Sequence, residues 1–261
     1  MKRLPLLLLT SLVALGACAT QAPTRTAFLG PTTQMERATD TVRAQIDRRR
    51  EAAIVREITA IRIEPTALSP SIIKASSVSE AEANAVLFEI ERQLCYDLSR
   101  RFRIADMTDE SATRIQSQLT RIQSTNAASA VMSSAISRAI PGPASVRLPI
   151  GRGGMSVEAR AETPAGREAA AMSWSRGAGI ANDGGSISEV GDAHRFADAF
   201  AADFTRWLAG DEVEAKPVPE PDPCDRYGQR LNLGKEALSR ITGLYSVPTA
   251  SATPAPTPSQ P

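Results

Sequence analysis

Aromatic residues are scarce in this chain: 6 Phe, 3 Tyr and 2 Trp among 261 residues, about 4% of the whole. There is one histidine, and there are three cysteines. A zinc site is poorly supported by that inventory, because a lone His and scattered Cys offer no pair of ligands at useful spacing. Any serine triad would have to use His194, with Asp198 four residues on as its orienting acid. Yet no G-x-S-x-G elbow is present: "GGSIS" at 184–188 lacks the closing glycine and a preceding apolar strand. Excess charge of either sign is also missing, since 30 Lys+Arg face 29 Asp+Glu. A nearly neutral domain lacks the electrostatic footprint of a general nucleic-acid binder, so no nucleic-acid partner is expected. The apolar run at 4–15 is well short of the ~20 residues a spanning helix needs.

That short run has another use. Lys2 and Arg3 make a positive n-region, Leu4 to Leu15 an apolar h-region, and small residues follow. Leu15-Gly16-Ala17-Cys18 resembles the bacterial lipobox, in which the cysteine thiol receives a diacylglyceryl group; residues 1–17 are then a lipoprotein signal peptide and Cys18 the lipidation site. Ala17-Cys18-Ala19 competes as a plain A-x-A secretory site, which would make Cys18 a bystander. The lipobox is the preferred reading, because the cysteine falls where the h-region ends and "ATQAPTRTAF" after it reads as a flexible polar tether. By resemblance to lipoproteins of enteric bacteria, Ala19 rather than Asp implies the outer membrane, with the body at its periplasmic face and a palmitate-bearing anchor as the membrane contact.

With Cys18 acylated, Cys95 and Cys224 remain as an even pair in an oxidising compartment, a possible disulfide. Two independent thiols are the alternative.

Along the chain, residues 18–50 read as tether and N-terminal arm, with "RAQIDRRR" a short helix or mobile arm. "IVREITAIRI" at 54–63 is β-branched and ends before Pro65, as a strand does. Ser79 with Glu82 three residues later is a capping box, opening a helix whose Ala83, Leu87, Ile90, Leu94 and Leu98 share one face. Arg100, Arg101 and Arg103 at its end suit the helix dipole. "RIADM" suits a short strand, and "ATRIQSQLTRIQST" fits either a helix or a half-exposed strand. "NAASAVMSSAISRAI" looks helical and is broken by the "PGP" at 141–143. A hairpin follows, with Thr163-Pro164-Ala165-Gly166 as its turn and Val157, Ala159 and Ala161 on one face. "DAHRFADAFAADFTRWL" is a second amphipathic helix, with Phe196, Ala199, Phe200, Phe204, Trp207 and Leu208 on its apolar side.

Residues 51–209 are therefore expected to form one α/β (α+β) sandwich: a mainly antiparallel sheet with two amphipathic helices packed on one face. A proline- and acid-rich linker at 210–226, a short helical segment at 227–245 and a disordered Pro/Ala/Ser/Thr tail at 246–261 complete the plan.

Three remaining places bear on chemistry. "GRGG" at 151–154 lacks the Lys-Ser/Thr of a P-loop and reads as a flexible loop. Asp106, Asp109 and Glu110 do not have EF-hand spacing and read as a solvated turn, so no metal is expected. His194 reads as a surface residue near a helix start.

Several stretches together resemble a known family. They are "FLG" at 28–30, the strand ending at Pro65, the helix closing on Ser99-Arg100-Arg101-Phe102, "GGMSVEARAETPAGREAAA" and "GDAHRFADAFAADFTRWL". The match is to a widespread Gram-negative lipoprotein family known only as a domain of unknown function, and it covers roughly residues 1–209. It implies an α/β sandwich facing the periplasm and hands over no catalytic residue. In that family a Thr-Gly turn commonly separates the paired strands; here Pro164 and Ala165 stand between Thr163 and Gly166. The expected function is a non-catalytic binding or assembly module of the cell envelope, with no cofactor, whose partner is an envelope protein or the cell wall. The alternatives are a periplasmic hydrolase using His194 and a structural tether to the cell wall.

Overall fold

A computed structural model describes residues 22–30, 34–41, 43–70, 72, 78–123, 153–177 and 191–228. The expected signal peptide, Cys18, the helix at 126–140, the "PGP" break, "GGSIS" and nearly all of the C-terminal helix and tail lie outside the described residues.

Eight strands form one sheet: β1 (Glu36–Arg37), β2 (Gln45–Arg50), β3 (Ala60–Ile63), β4 (Ala67–Leu68), β5 (Arg103–Ile104), β6 (Thr113–Gln123), β7 (Gly154–Glu162) and β8 (Glu168–Gly177). Their order is β1-β2-β8-β7-β6-β3-β5, with β4 also paired to β6. Pairing is antiparallel from β1 across to β6 and parallel at β6–β3, β3–β5 and β6–β4. The sheet is thus mixed, antiparallel over its longest strands, and the fold is α+β. Parallel neighbours need a crossover, and helix α2 (Glu80–Leu98) supplies it between β3 and β5. The short helix α1 (Ala52–Val55) precedes β3, and α3 (Gly191–Ala209) follows β8.

Local chemistry explains the long elements. Ser79 accepts from the Glu82 N–H while the Glu82 carboxylate accepts from the Ser79 N–H, closing the expected capping box at the start of α2. In the β7–β8 turn, Gly166 donates to the Thr163 carbonyl at 2.9 Å with φ +74°, a conformation that favours glycine. Thr163 Oγ1 also accepts from the Arg167 N–H, so this four-residue turn closes the hairpin on its own hydrogen bonds. "TRIQSQLTRI" is a strand: Ile115, Ser117 and Leu119 face inward at alternate positions, and a register shift between Leu119 and Arg121 returns Ile122 to the same side.

The core lies between the sheet and α3, with α2 beside it. Phe196, Phe200 and Phe204 recur every four residues on α3, so half of the chain's phenylalanines point at one face. Trp174 on β8 meets Phe196 and Phe200 at ring distances of 6.4 and 5.9 Å and donates its indole N–H to Asp203 at 2.9 Å. Alanines at 159, 161, 169 and 170 line β7 and β8, leaving room for those rings.

Several expectations change. The basic stretch at 45–50 is not an arm but strand β2, paired in register with β8 from Gln45↔Ser175 to Arg50↔Ala170. The sheet therefore begins ahead of residue 51. The stretch at 54–63 divides into the end of α1 and the short β3. On α2 the stripe runs through Val86, Ile90, Leu94 and Leu98, and Leu87 is only half-buried. Trp207 and Ala199 are likewise half-buried. The segment after α3 is not a free linker. Cys95 and Cys224 are bonded, with Cα atoms 5.8 Å apart. Around the bond, Tyr96 donates to the Gly228 carbonyl at 2.7 Å, and Phe88 packs on Tyr227 at 5.6 Å. Arg101 donates to the Val213 carbonyl, and the Lys216 N–H to the Arg100 carbonyl. These contacts hold residues 213–228 onto α2, so the arginines at its end clamp the chain that follows.

Candidate functional site

Strand alternation puts apolar residues toward the helices and polar ones on the opposite face. On β7 the inward set is Met155, Val157, Ala159 and Ala161, and the outward set is Ser156, Glu158, Arg160 and Glu162. Gln118 on β6, Ser173 on β8 and Asp47 on β2 stand in one row with Glu158. This polar face is not left to water. Glu158, Ser156, Ser173 and Ser175 are 0% exposed and Asp47 is 4% exposed.

A strap formed by residues 22–30 lies over the row. Thr26 donates its N–H to Glu158 Oε1 at 3.0 Å and its hydroxyl to Oε2 at 2.5 Å, with Gln118 Oε1 3.1 Å away. Arg25 pairs with Asp47 at 2.9 Å, and Arg37 of β1 pairs with the same carboxylate. Arg160 donates to the Phe28 carbonyl at 3.3 Å and lies 5.2 Å from the Phe28 ring. Leu29 is buried at the end of a short 3-10 turn capped by Thr26. Burial pushes the Glu158 carboxyl up from its ordinary value, and the two Thr26 hydrogen bonds oppose that shift. Beside it, Arg121 donates to Ser175 at 2.7 Å, and Ser156 to Ser175 at 2.9 Å. The face supplies acceptors for N–H, O–H and guanidinium groups and one donor for a carbonyl. That set is suited to holding an extended peptide segment.

The residues expected from sequence fall elsewhere. His194 is not on the surface: it is 2% exposed, packed where α3 meets α2. Burial lowers its pKa below the ordinary 6.5; the charge of Glu89 opposes the shift and that of Arg92 adds to it. Asp198 is exposed. Of "GRGG", Gly153 donates its N–H to the Asp192 carboxylate at 3.0 Å. Asp106, Asp109 and Glu110 sit in a hydrogen-bonded turn, where Asp109 accepts from Ser111 and faces Arg103 at 3.5 Å. Among the described residues no group of three metal-ligating side chains is present.

The histidine carries a prediction. The folded chain resists protonating His194, whereas the unfolded chain accepts a proton near the ordinary value of 6.5. Stability therefore falls as the pH drops through that value, at up to about 1.4 kcal/mol per pH unit for one proton. Subtracting the unfolding free energies of His194→Gln from those of the wild type across pH 5–8 should isolate that slope. A difference flat in pH would contradict the buried, neutral ring.

A family profile described as "Protein of unknown function (DUF3313)" matches residues 24–204. The chain belongs to this family. The DUF3313 match begins inside the strap and ends within α3, so it takes in the polar row and the strap that covers it. No curated protein matches the chain. Among solved structures, the PelC dodecamer from Paraburkholderia phytofirmans is similar with a TM-score of 0.37 and 10% identity, covering 63% of this chain and 96% of that one. A single-substitution variant of the same dodecamer gives the same score and identity over 63% and 97%.

Proposed function

We propose that this DUF3313 chain is a lipid-anchored envelope lipoprotein at the periplasmic face of the outer membrane, acting as a non-catalytic binding or assembly module. The observation that carries the reading is the strap: Arg25, Thr26 and Phe28, seven to ten residues after Cys18, are held on a buried polar face. A lipid on Cys18 would thus be coupled directly to the fold. The buried bond between Cys95 and Cys224 suits an oxidising compartment. The position of His194 argues against its use as a general base, since the ring is buried away from solvent.

Metabolic labelling with palmitate and membrane fractionation test the proposal. The wild-type chain is expected to carry label and to sediment with outer membranes. Cys18→Ala, which makes positions 17–19 an unbroken run of alanines and removes the acyl acceptor, should lose the label. It should then stall as precursor or become soluble. Crosslinking in the labelled membranes should trap a protein or cell-wall partner. A wild-type chain that is soluble and unlabelled would refute the proposal.

A further inference from the structure

The strap is held at few points. Among the described residues, every hydrogen bond from residues 22–28 to the sheet goes through a side chain: Arg25 to Asp47, Thr26 to Glu158 and Gln118, and Arg160 to the Phe28 carbonyl. Of residues 22–29 only Leu29 is buried; Arg25 is exposed, and Thr26 and Phe28 are half-buried. The face beneath offers more than this cover uses. Asp47, Ser173 and Glu158 are register neighbours on β2, β8 and β7, and all three are buried. The Ser173 hydroxyl has no hydrogen-bond partner among the described residues. Burying two carboxylates and an unpartnered hydroxyl is costly, and apolar residues of the same shape would serve a purely structural strap better.

We infer that this face is a docking site for an extended peptide of a partner protein, and that residues 25–28 fill it until that peptide arrives. The inference deepens the binding-module reading above and rests on it. The seated strap states the chemistry required. A basic residue meets Asp47, and a Thr or Ser follows whose N–H and hydroxyl reach Glu158. Two residues on, an aromatic residue offers its carbonyl and its ring to Arg160. A partner peptide that also brings a donor or acceptor to Ser173 gains a bond the strap does not make. A second copy of this chain gains none, because exchanging identical straps leaves each face filled as before. The strap also sets a threshold: tied to the body, it competes at an effective concentration on the order of millimolar.

The test uses the full, acylated chain in detergent, with a fluorescein-labelled synthetic peptide of residues 22–30 as the probe. Nitroxide labels on Ala22→Cys and Glu110→Cys, both exposed positions, report where the strap lies. The probe should bind the wild type and broaden the 22–110 distance as it displaces the strap. Thr26→Pro in the chain takes the N–H and hydroxyl from the strap, and should bind the probe at least tenfold more tightly. Thr26→Val in the probe keeps the shape without the hydroxyl, cannot unfold the protein, and should bind at least tenfold more weakly. A probe bound by neither chain, bound with the 22–110 distance unchanged, or bound equally by wild type and Thr26→Pro would overturn the inference. So would a chain of doubled mass, its straps exchanged, that excludes the probe. Palmitate labelling reads the anchor separately: a chain that takes label but fails these tests loses the docking site alone, and one that binds the probe without label loses the anchor alone.

Discussion

Replacing Cys95 and Cys224 together by alanine should lower the unfolding free energy by about 5 kcal/mol, the value the chain-entropy model gives for a crosslink spanning 129 residues. The bond joins α2 to a segment with little core of its own, so its removal acts on both states. In the unfolded chain it frees a loop that takes in most of the body, and the denaturant slope should rise as more surface becomes exposed. In the folded chain, residues 213–228 would be held only by contacts such as Tyr96 to Gly228 and Phe88 to Tyr227. Proteolysis should then cut the variant within that segment before the sheet unfolds. Two thiols freely alkylated in the wild type without reductant would contradict the bond.

Breaking the ion pair inside the helix layer should cost about 3–5 kcal/mol, because a buried charge loses its partner. Arg92 and Glu89 are i, i+3 neighbours on α2, bonded at 2.7 Å with side chains 3% and 2% exposed. Gln93 also donates to Glu89 at 2.7 Å. Glu89→Leu leaves the Arg92 guanidinium buried beside the Tyr96 ring without the Glu89 carboxylate that accepts from it. The double change Glu89→Leu/Arg92→Leu removes both charges and should recover most of the loss. Equilibrium denaturation of the two variants and the wild type decides the matter. A double variant as unstable as the single one would mean that packing volume, not charge, sets the cost.

Much of the fold is legible in the sequence because the long elements carry local signals. The Ser79–Glu82 box, the four-residue spacing of Phe196, Phe200 and Phe204, and the Thr163–Gly166 turn each bring their own hydrogen bonds or faces. What is lost lacks such signals. Arg48, Arg49 and Arg50 read as part of a short helix or mobile arm, since little near them in sequence accounts for their partners. In the fold Arg48 stacks on Trp207 at 4.1 Å and pairs with Asp40, Arg49 pairs with Glu168, and Arg50 pairs with Glu212. Two of those acids and the indole lie more than a hundred residues away.

The polar row is half legible. Val157, Ala159 and Ala161 mark one face of β7, which leaves Ser156, Glu158 and Arg160 on the other. The strap that covers them gives little sign, because "APTRTAF" has no period and its one local device is Thr26, which caps a turn of only three residues. His194 is misplaced for a related reason. Its position near the start of a helix suggests the surface, whereas the folded chain buries it within reach of the charges of Glu89 and Arg92 on α2, roughly a hundred residues upstream.

The intact mass of the mature chain purified from membranes tests the central claim most directly. The account predicts a chain that begins at Cys18 and carries the added mass of a diacylglyceryl group, with Cys95 and Cys224 lacking two hydrogens. A mature chain beginning at residue 20, unacylated, would contradict it.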